Sequence, residues 1–288
     1  MSLPRILDSL RAVPVGARLW RGDIAADWNA PVYPNGGLTT AVAVRAMEME
    51  LDQPHQRLRN VSTMFVSTVP CGPVDIAVER LRVGKRMSQL RADVRSSGSA
   101  ERGHLVTAAF GESREGFEFE YLKAPEVGPP LDYPPPATPP PGHPTFNPPF
   151  FQNVEVRRVK MFSSFEKDWV GGTAEAIRWI RFRTPPRRAD ASIDPLSLIA
   201  LADTMPPSIA QYIGPGFPFF HAPSVDLNVR MFADPEDEWI LGRMICHWAG
   251  DGYASAEIAL WDIRRRLVAH ANQMMLIRLV TPGELGRK

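Results

Sequence analysis

Cysteine is almost missing from this 288-residue chain: Cys71 and Cys246 are far apart and outside any paired spacing. That excludes a disulfide framework. With six histidines scattered singly, it also leaves no zinc or iron–sulfur ligand set. Cys246 and His247 are neighbours on a predicted strand and point to opposite faces, so they form no nucleophile–base pair. An excess of one sign of charge is missing too. The formal net charge is +1, so no global field points to nucleic acid or to an anionic membrane. No apolar run approaches the ~18–20 residues that a membrane span requires. Arg5, Asp8 and Arg11 interrupt any apolar leader core near the start. The expectation is a cytoplasmic protein without stable membrane insertion. Gly-x-Ser-x-Gly, Gly-x-Gly-x-x-Gly and phosphate-loop patterns do not occur. Their absence removes the usual arguments for a serine elbow and for dinucleotide or nucleotide binding. A hydrophobic content of 44% with 23% charged residues excludes disorder as a description of the whole chain.

Proline is plentiful, and it is uneven. Twelve of the 29 prolines fall between Pro125 and Pro149. Proline fixes φ and lacks an amide donor, so neither a helix nor a central strand persists there. The segment reads as a semi-rigid connector running over the surface; a ligand for a proline-recognising module is the other reading. It divides the chain into an N-terminal half (1–124), a linker (125–150) and a C-terminal half (151–288).

The halves look alike. Ser62 and Ser224 each open an alternating stretch, and Leu105-Val106 and Leu267-Val268 each open a closing strand at the same offset. A longer hairpin around Ala233 to Glu238 absorbs the difference in length. Each half places one helix before its strands. After Gly36-Gly37, the run Leu38 to Glu48 is apolar nearly all round, which suits a helix wrapped by a sheet. In the second half, Ser192 is placed to cap a helix from Asp194 through Asp203, with Pro206-Pro207 as its stop. Val74, Ile76 and Val78 alternate with Asp75, Ala77 and Glu79, a strand pattern. One long helix and four or five antiparallel strands, twice over, describe an α+β tandem hot-dog; periodicity alone equally allows another α+β sandwich.

Tyr33-Pro34-Asn35-Gly36-Gly37 and its small-residue helix resemble the Phe-Gly-Gly-Gln motif of the type II (TesB-like) acyl-CoA thioesterases. Val83-Gly84-Lys85-Arg86-Met87-Ser88 is similar to that family's Asp-Gly-Arg-Ser-Phe-Ser turn. The order Asp203, Ser224, Gln273 is similar to its Asp–Thr/Ser–Gln catalytic set. The resemblance spans Leu19 to Arg278 without the proline segment, and Leu38 departs from the family's glutamine. It implies that Asp203, Ser224 and Gln273 converge on one water that attacks a thioester carbonyl directly. The reaction then needs no cofactor and no covalent serine intermediate. Each residue also has a plainer reading: Asp203 as a helix end, Ser224 as a turn residue after Pro223, Gln273 as a solvated strand position. Asp226 is a reserve carboxylate.

Acyl-CoA is the implied substrate. The phosphates of CoA call for cations, and Lys85-Arg86 and Arg264-Arg265-Arg266 in the hairpin turns are candidates. Gly36, Gly37 and Ser88 complete the expected binding set. Phe217, Phe219 and Phe220, with Met205, are placed to line an acyl channel or simply to fill core. His104, His221 and His270 read as structural or surface residues. The resemblance implies a homodimer or homotetramer. Two other functions stay open: a non-catalytic acyl-CoA-binding or scaffolding protein, and an acyl-CoA hydratase or dehydratase, for which the Asn147-Pro148-Pro149 stretch lacks the needed histidine.

Overall fold

A computed structural model describes residues 5–141, 148–163, 165–166, 169–216 and 218–281. The first half contains α1 (Ile6–Ser9), β1 (Val13–Gly16), β2 (Leu19–Ile24), α2 (Gly36–Leu51), β3 (Arg57–Phe65), β4 (Gly72–Arg82), β5 (Met87–Ser96) and β6 (His104–Gly111). The second contains α3 (Pro149–Gln152), β7 (Val154–Lys160), β8 (Glu175–Phe182), α4 (Ser197–Ala202), α5 (Pro207–Ile213), β9 (Phe220–His221), β10 (Asp226–Met231), β11 (Ile240–Gly250), β12 (Tyr253–Trp261), β13 (Leu267–Leu276) and β14 (Arg278–Leu279).

Twelve of these strands form one sheet in the order β1-β2-β4-β5-β6-β3-β10-β13-β12-β11-β8-β7. The order reads the same from either edge once β3 is matched with β10, β6 with β13, β5 with β12, β4 with β11 and β2 with β8. The duplication therefore lies in the topology. The two half-sheets join at the antiparallel pair β3–β10, where Ser62 faces Asn228. The two serines that open the matched stretches do not occupy matching places. Ser62 is mid-strand in β3, whereas Ser224 precedes β10 and bridges Met275. Nor is the Ala233–Glu238 stretch a hairpin: β10 and β11 are not neighbours, and it crosses between them.

α2 forms as expected. Asn35 caps it, its side chain accepting the Leu38 N–H, and Asp52 ends it in the left-handed region at φ 51°. Eleven of its residues are buried, so the sheet wraps most of its circumference, and chiefly its last turns, with Met49 exposed, reach water. Val74, Ile76 and Val78 point inward as their alternation predicts. The second helix differs from expectation. α4 starts only at Ser197, and the Ser192 hydroxyl bonds Asp190 instead of capping. Asp194 supplies the local turn by accepting the Leu196 N–H at 3.1 Å. Pro206-Pro207 do not merely stop α4; they start α5, because proline at the first helical position loses no hydrogen bond.

The proline segment runs over the outer sheet face and is held there. Trp179 donates its indole N–H to the Gly128 carbonyl at 3.2 Å. Arg265 stacks over the Trp179 ring at 5.0 Å and donates to the Val127 carbonyl. Ala124, Val127 and Tyr133 thereby cover an apolar patch of Ile177, Trp179, Trp239, Leu241 and Trp261 on the outer sheet face. Among the described residues no helix is long and apolar enough to cross a membrane.

Candidate functional site

Besides the β3–β10 pair, the two halves touch closely where α2 begins. A Cβ on Gly37 would lie 2.2 Å from the Ile199 carbonyl oxygen and 2.9 Å from Ala200 Cα. One on Gly36 would lie 2.7 Å from the Phe65 ring. Only glycine lets α2 abut the backbone of α4 this closely. That contact brings the N-terminus of α2, with its orphan N–H groups and positive dipole end, against Asp203 at the C-cap of α4.

The Asp203 carboxylate is held on both oxygens. Oδ2 accepts the Gly37 N–H at 2.9 Å, and Oδ1 accepts the Ser224 hydroxyl proton at 2.9 Å. Asn35 fixes the backbone beneath it: Nδ2 donates to the Asp203 carbonyl at 3.1 Å while Oδ1 accepts the Leu38 N–H at 2.8 Å. Burial pushes the Asp203 carboxyl up from 3.8 to about 6, against the donors from Gly37, Ser224 and Gly36 that pull it down. The residue as a whole is only half-buried, so the group is desolvated without being sealed. A carboxylate poised near 6 is ionised at neutral pH and can accept a proton.

Gln273 faces inward on β13 with Ala271 and Met275, only 3% exposed. Its carbonyl oxygen has no hydrogen-bond partner. It makes no direct bond to Asp203 or Ser224, although Met275, two residues on, bridges Ser224. Asp226 is committed elsewhere, accepting the Met274 N–H at 2.7 Å and the Asn228 amide at 3.0 Å.

Several site residues escaped the sequence reading. Asn35, inside the Tyr33–Gly37 motif, is the α2 cap, and an Asn before Gly-Gly at a helix start is itself a capping signal. Phe65 packs edge-on against His104, ring centroids 4.8 Å apart. His104 Nδ1 is 3.1 Å from Thr39 Oγ1, whose own proton goes to the Gly36 carbonyl at 2.9 Å. Burial holds His104 down at about 4, so it stays neutral and buttresses the first turn of α2. No local pattern announces Phe65, Thr39 or His104.

The expected binding residues divide between two ends of the sheet. Gly36 and Gly37 are at the Asp203 end. Phe219 is half-buried shortly before Ser224, its carbonyl accepting the Val280 N–H at 2.9 Å. Met205 is fully buried core, Phe220 packs against that core, and Phe217 lies outside the described residues. Lys85, Arg86 and Ser88 lie in or beside the β4–β5 turn, next to Arg57 at the start of β3. Asp203 lies by Phe65 at the end of β3, eight steps or ~26 Å away at ~3.3 Å per residue. Ser88 is fully buried and bonds Gly84 across the turn, so it has no surface to offer a ligand. Arg264 pairs with Glu236 at 2.6 Å, Arg266 with Asp262 at 3.1 Å, and Arg265 holds the proline segment. Cys246 is buried and His247 exposed, on opposite faces. Among the described residues no three His, Cys, Asp or Glu side chains are grouped to hold a metal.

Comparison with known proteins bears on this geometry. Residues 24–111 match the acyl-CoA thioesterase N-terminal domain family and residues 128–277 the acyl-CoA thioesterase C-terminal domain family. No curated protein matches the chain. Among solved structures, a conserved hot-dog protein of unknown function from Alicyclobacillus acidocaldarius is similar at 23% identity and a TM-score of 0.77, covering 96% of this chain and 98% of its own. An acyl-CoA thioesterase II from Mycobacterium marinum is similar at 20% identity and a TM-score of 0.72, covering 96% and 99%. A TesB protein from Mycobacterium avium subspecies paratuberculosis follows at 16% identity and 0.73, covering 95% and 98%. These likenesses establish the α+β double hot-dog fold, and the two domain matches, which together span most of the sequence, show that this chain belongs to the acyl-CoA thioesterase family of thioester hydrolases.

Proposed function

We infer that the protein hydrolyses an acyl-CoA thioester to free acid and CoA, with Asp203 as the general base for an attacking water. The observation that carries this reading is the carboxylate itself. It is desolvated, gripped on both oxygens by Gly37 and Ser224, and moved to about 6. Oδ1, which accepts the Ser224 proton, keeps a lone pair for a water. Ser224 donates its proton to Asp203, which suits a residue that orients the base. The free carbonyl oxygen of Gln273 on the inner face of β13 is suited to hold the second proton of that water. No step calls for a cofactor. In this reading residues 1–124 and 151–288 are the two hot-dog units, 125–150 joins them, and the catalytic residues belong to the second. The protein works in the cytoplasm as a homodimer or homotetramer.

The test is release of CoA thiol from short, medium and long acyl-CoA substrates by wild type and Asp203→Asn. Turnover is expected in the wild type and its loss in the folded variant. Retained turnover in Asp203→Asn, or an acyl group trapped on Ser224 and seen by intact-mass spectrometry, overturns the mechanism.

A further inference from the structure

The antiparallel β3–β10 junction has two ends related by the approximate dyad that relates the halves. One end holds Asp203. The other opens into a cleft of about 590 Å³, within the ~300–1,000 Å³ range of small-molecule sites. Like the Asp203 site, it is built from both halves: the last turn of α2, the start of β3, the end of β6, the approach to α4 and the end of β10. Leu51, Leu58, Phe110, Leu196 and Met231 form its buried apolar floor, and Met49 and Phe232, 45% and 47% exposed, supply the accessible apolar surface.

The rim is polar and rich in arginine. Arg57, Arg59, Arg188 and Arg266 line it together with Glu48, Asp52 and Asp234. Most of these charges are already matched. Arg57 pairs with Asp234 at 3.2 Å, Arg188 with Asp194 at 3.2 Å, and Arg266 with Asp262 at 3.1 Å. Arg59 differs: among the described residues it donates only to the Gly111 carbonyl at 3.1 Å and the Ser113 hydroxyl at 3.3 Å. Lys85, exposed on the adjoining β4–β5 turn, has no acidic partner among the described residues either. That turn is tied to the lining by Gln56, whose amide donates to the Gly84 carbonyl at 2.7 Å.

The cleft lacks what the other end possesses. Its half-buried carboxylate, Glu48, is paired with Arg45 at 2.7 Å, and Arg45 also binds Asp194. Burial pushes the Glu48 carboxyl up against the pull of Arg45, but among the described residues no serine hydroxyl and no backbone N–H donates to it, so it is not oriented as Asp203 is. The cleft is therefore equipped to bind and not to hydrolyse.

We propose that this second cleft is a non-catalytic site for a linear amphiphile, with the apolar chain on the exposed Met49 and Phe232, backed by Leu58 and Met231, and the anionic head on Arg59 and Lys85. The acyl-CoA substrate and the free acid product share that chemistry. The assignment of this ligand class rests on the thioesterase reading; the existence of the site does not.

Isothermal titration of the intact protein carrying Asp203→Asn tests it, with decanoyl-CoA as one ligand and decanoate as the other. Two ligands per chain are expected for at least one of the two; which one identifies the source of the head group. Adding Arg59→Glu or, independently, Met49→Glu on the exposed lining should weaken the second event at least tenfold and leave the first in place. In the wild-type background the same substitutions should change thiol release at limiting substrate less than twofold. A single event per chain with both ligands overturns the proposal, as does a second event indifferent to both substitutions. Failure of the thioesterase reading is separate, because it shows as absent thiol release by the wild type whatever the stoichiometry.

Discussion

Replacing Asp203 with Asn separates the charge of the site from its shape, and its effect on stability can be worked out from the structure. Burial raises the native carboxyl from 3.8 to about 6. The native state thus binds a proton more tightly than the unfolded chain, and stability falls as pH rises between those two values. Above pH 6 both states are ionised and the loss is complete. At 1.36 kcal/mol per pH unit, the ionised group costs the fold about 3 kcal/mol relative to its neutral form. Asparagine is neutral throughout. Its Oδ1 can accept the Gly37 N–H, and its Nδ2 can donate to the Ser224 oxygen, whose own proton rotates away.

The variant should therefore match the wild type near pH 3.5 and exceed it by about 1–3 kcal/mol at pH 8, the lower figure allowing for imperfect amide geometry. Its thiol-release rate should fall ~10²–10⁴-fold, the usual contribution of a general base. Urea unfolding across pH 3.5–8, with the slope m unchanged, gives the difference directly. A variant less stable than the wild type at pH 8, or a difference that is the same at both ends of the range, refutes the claim that Asp203 is a charge held at the expense of the fold.

Further expectations concern its neighbours. In the wild type, kcat/KM should rise tenfold per pH unit below about pH 6 and then level off. Ser224→Ala removes a donor that stabilises the carboxylate, so the inflection should move up, by ~1 pH unit for a charged hydrogen bond worth ~1.5 kcal/mol; an unmoved or lowered inflection counts against the pair. Asn35→Asp keeps the helix cap but loses the donor to the Asp203 carbonyl and adds a negative charge beside the base. It should raise the same inflection, lower kcat and, because Asn35 is only 2% exposed, cost stability by ~2–3 kcal/mol above pH 6 as a second buried charge, measured by pH–rate profile and urea midpoint. Arg265→Ala frees the carbonyls of Pro125 and Val127 and the Trp179 face; limited proteolysis should then cut residues 125–135 faster, and unchanged cutting would mean that the apolar contacts alone hold the segment.

How far the sequence reveals this molecule depends on how local each cause is. α2 is readable because its cap, its composition and its left-handed end lie within 18 residues. The inward faces of β4 are readable because alternation is a two-residue property. Topology can be inferred from the duplication, but register cannot. The β12–β13 pairing shifts between Leu260 and Trp261, beside the Leu267-Val268 match, so equal sequence offsets at Ser62 and Leu105 do not mean equal places in the sheet. The docking of the proline segment cannot be read locally for a related reason. Proline forbids helix and central strand but says nothing about docking, and the groups that bind it, Trp179 and Arg265, are 51 and 137 positions from Gly128. The site is the extreme case. The Asn35 and Gly37 contacts to Asp203 span 168 and 166 positions, and no periodicity connects them. What the chain does carry locally is the permission for that contact: two adjacent glycines at a helix start, where a single methyl group on Gly37 would meet a carbonyl at 2.2 Å. The glycines are therefore as much a part of the carboxylate's chemistry as Ser224 is, because without them the α2 amides could not reach Asp203 and only the Ser224 hydroxyl would offset its desolvation.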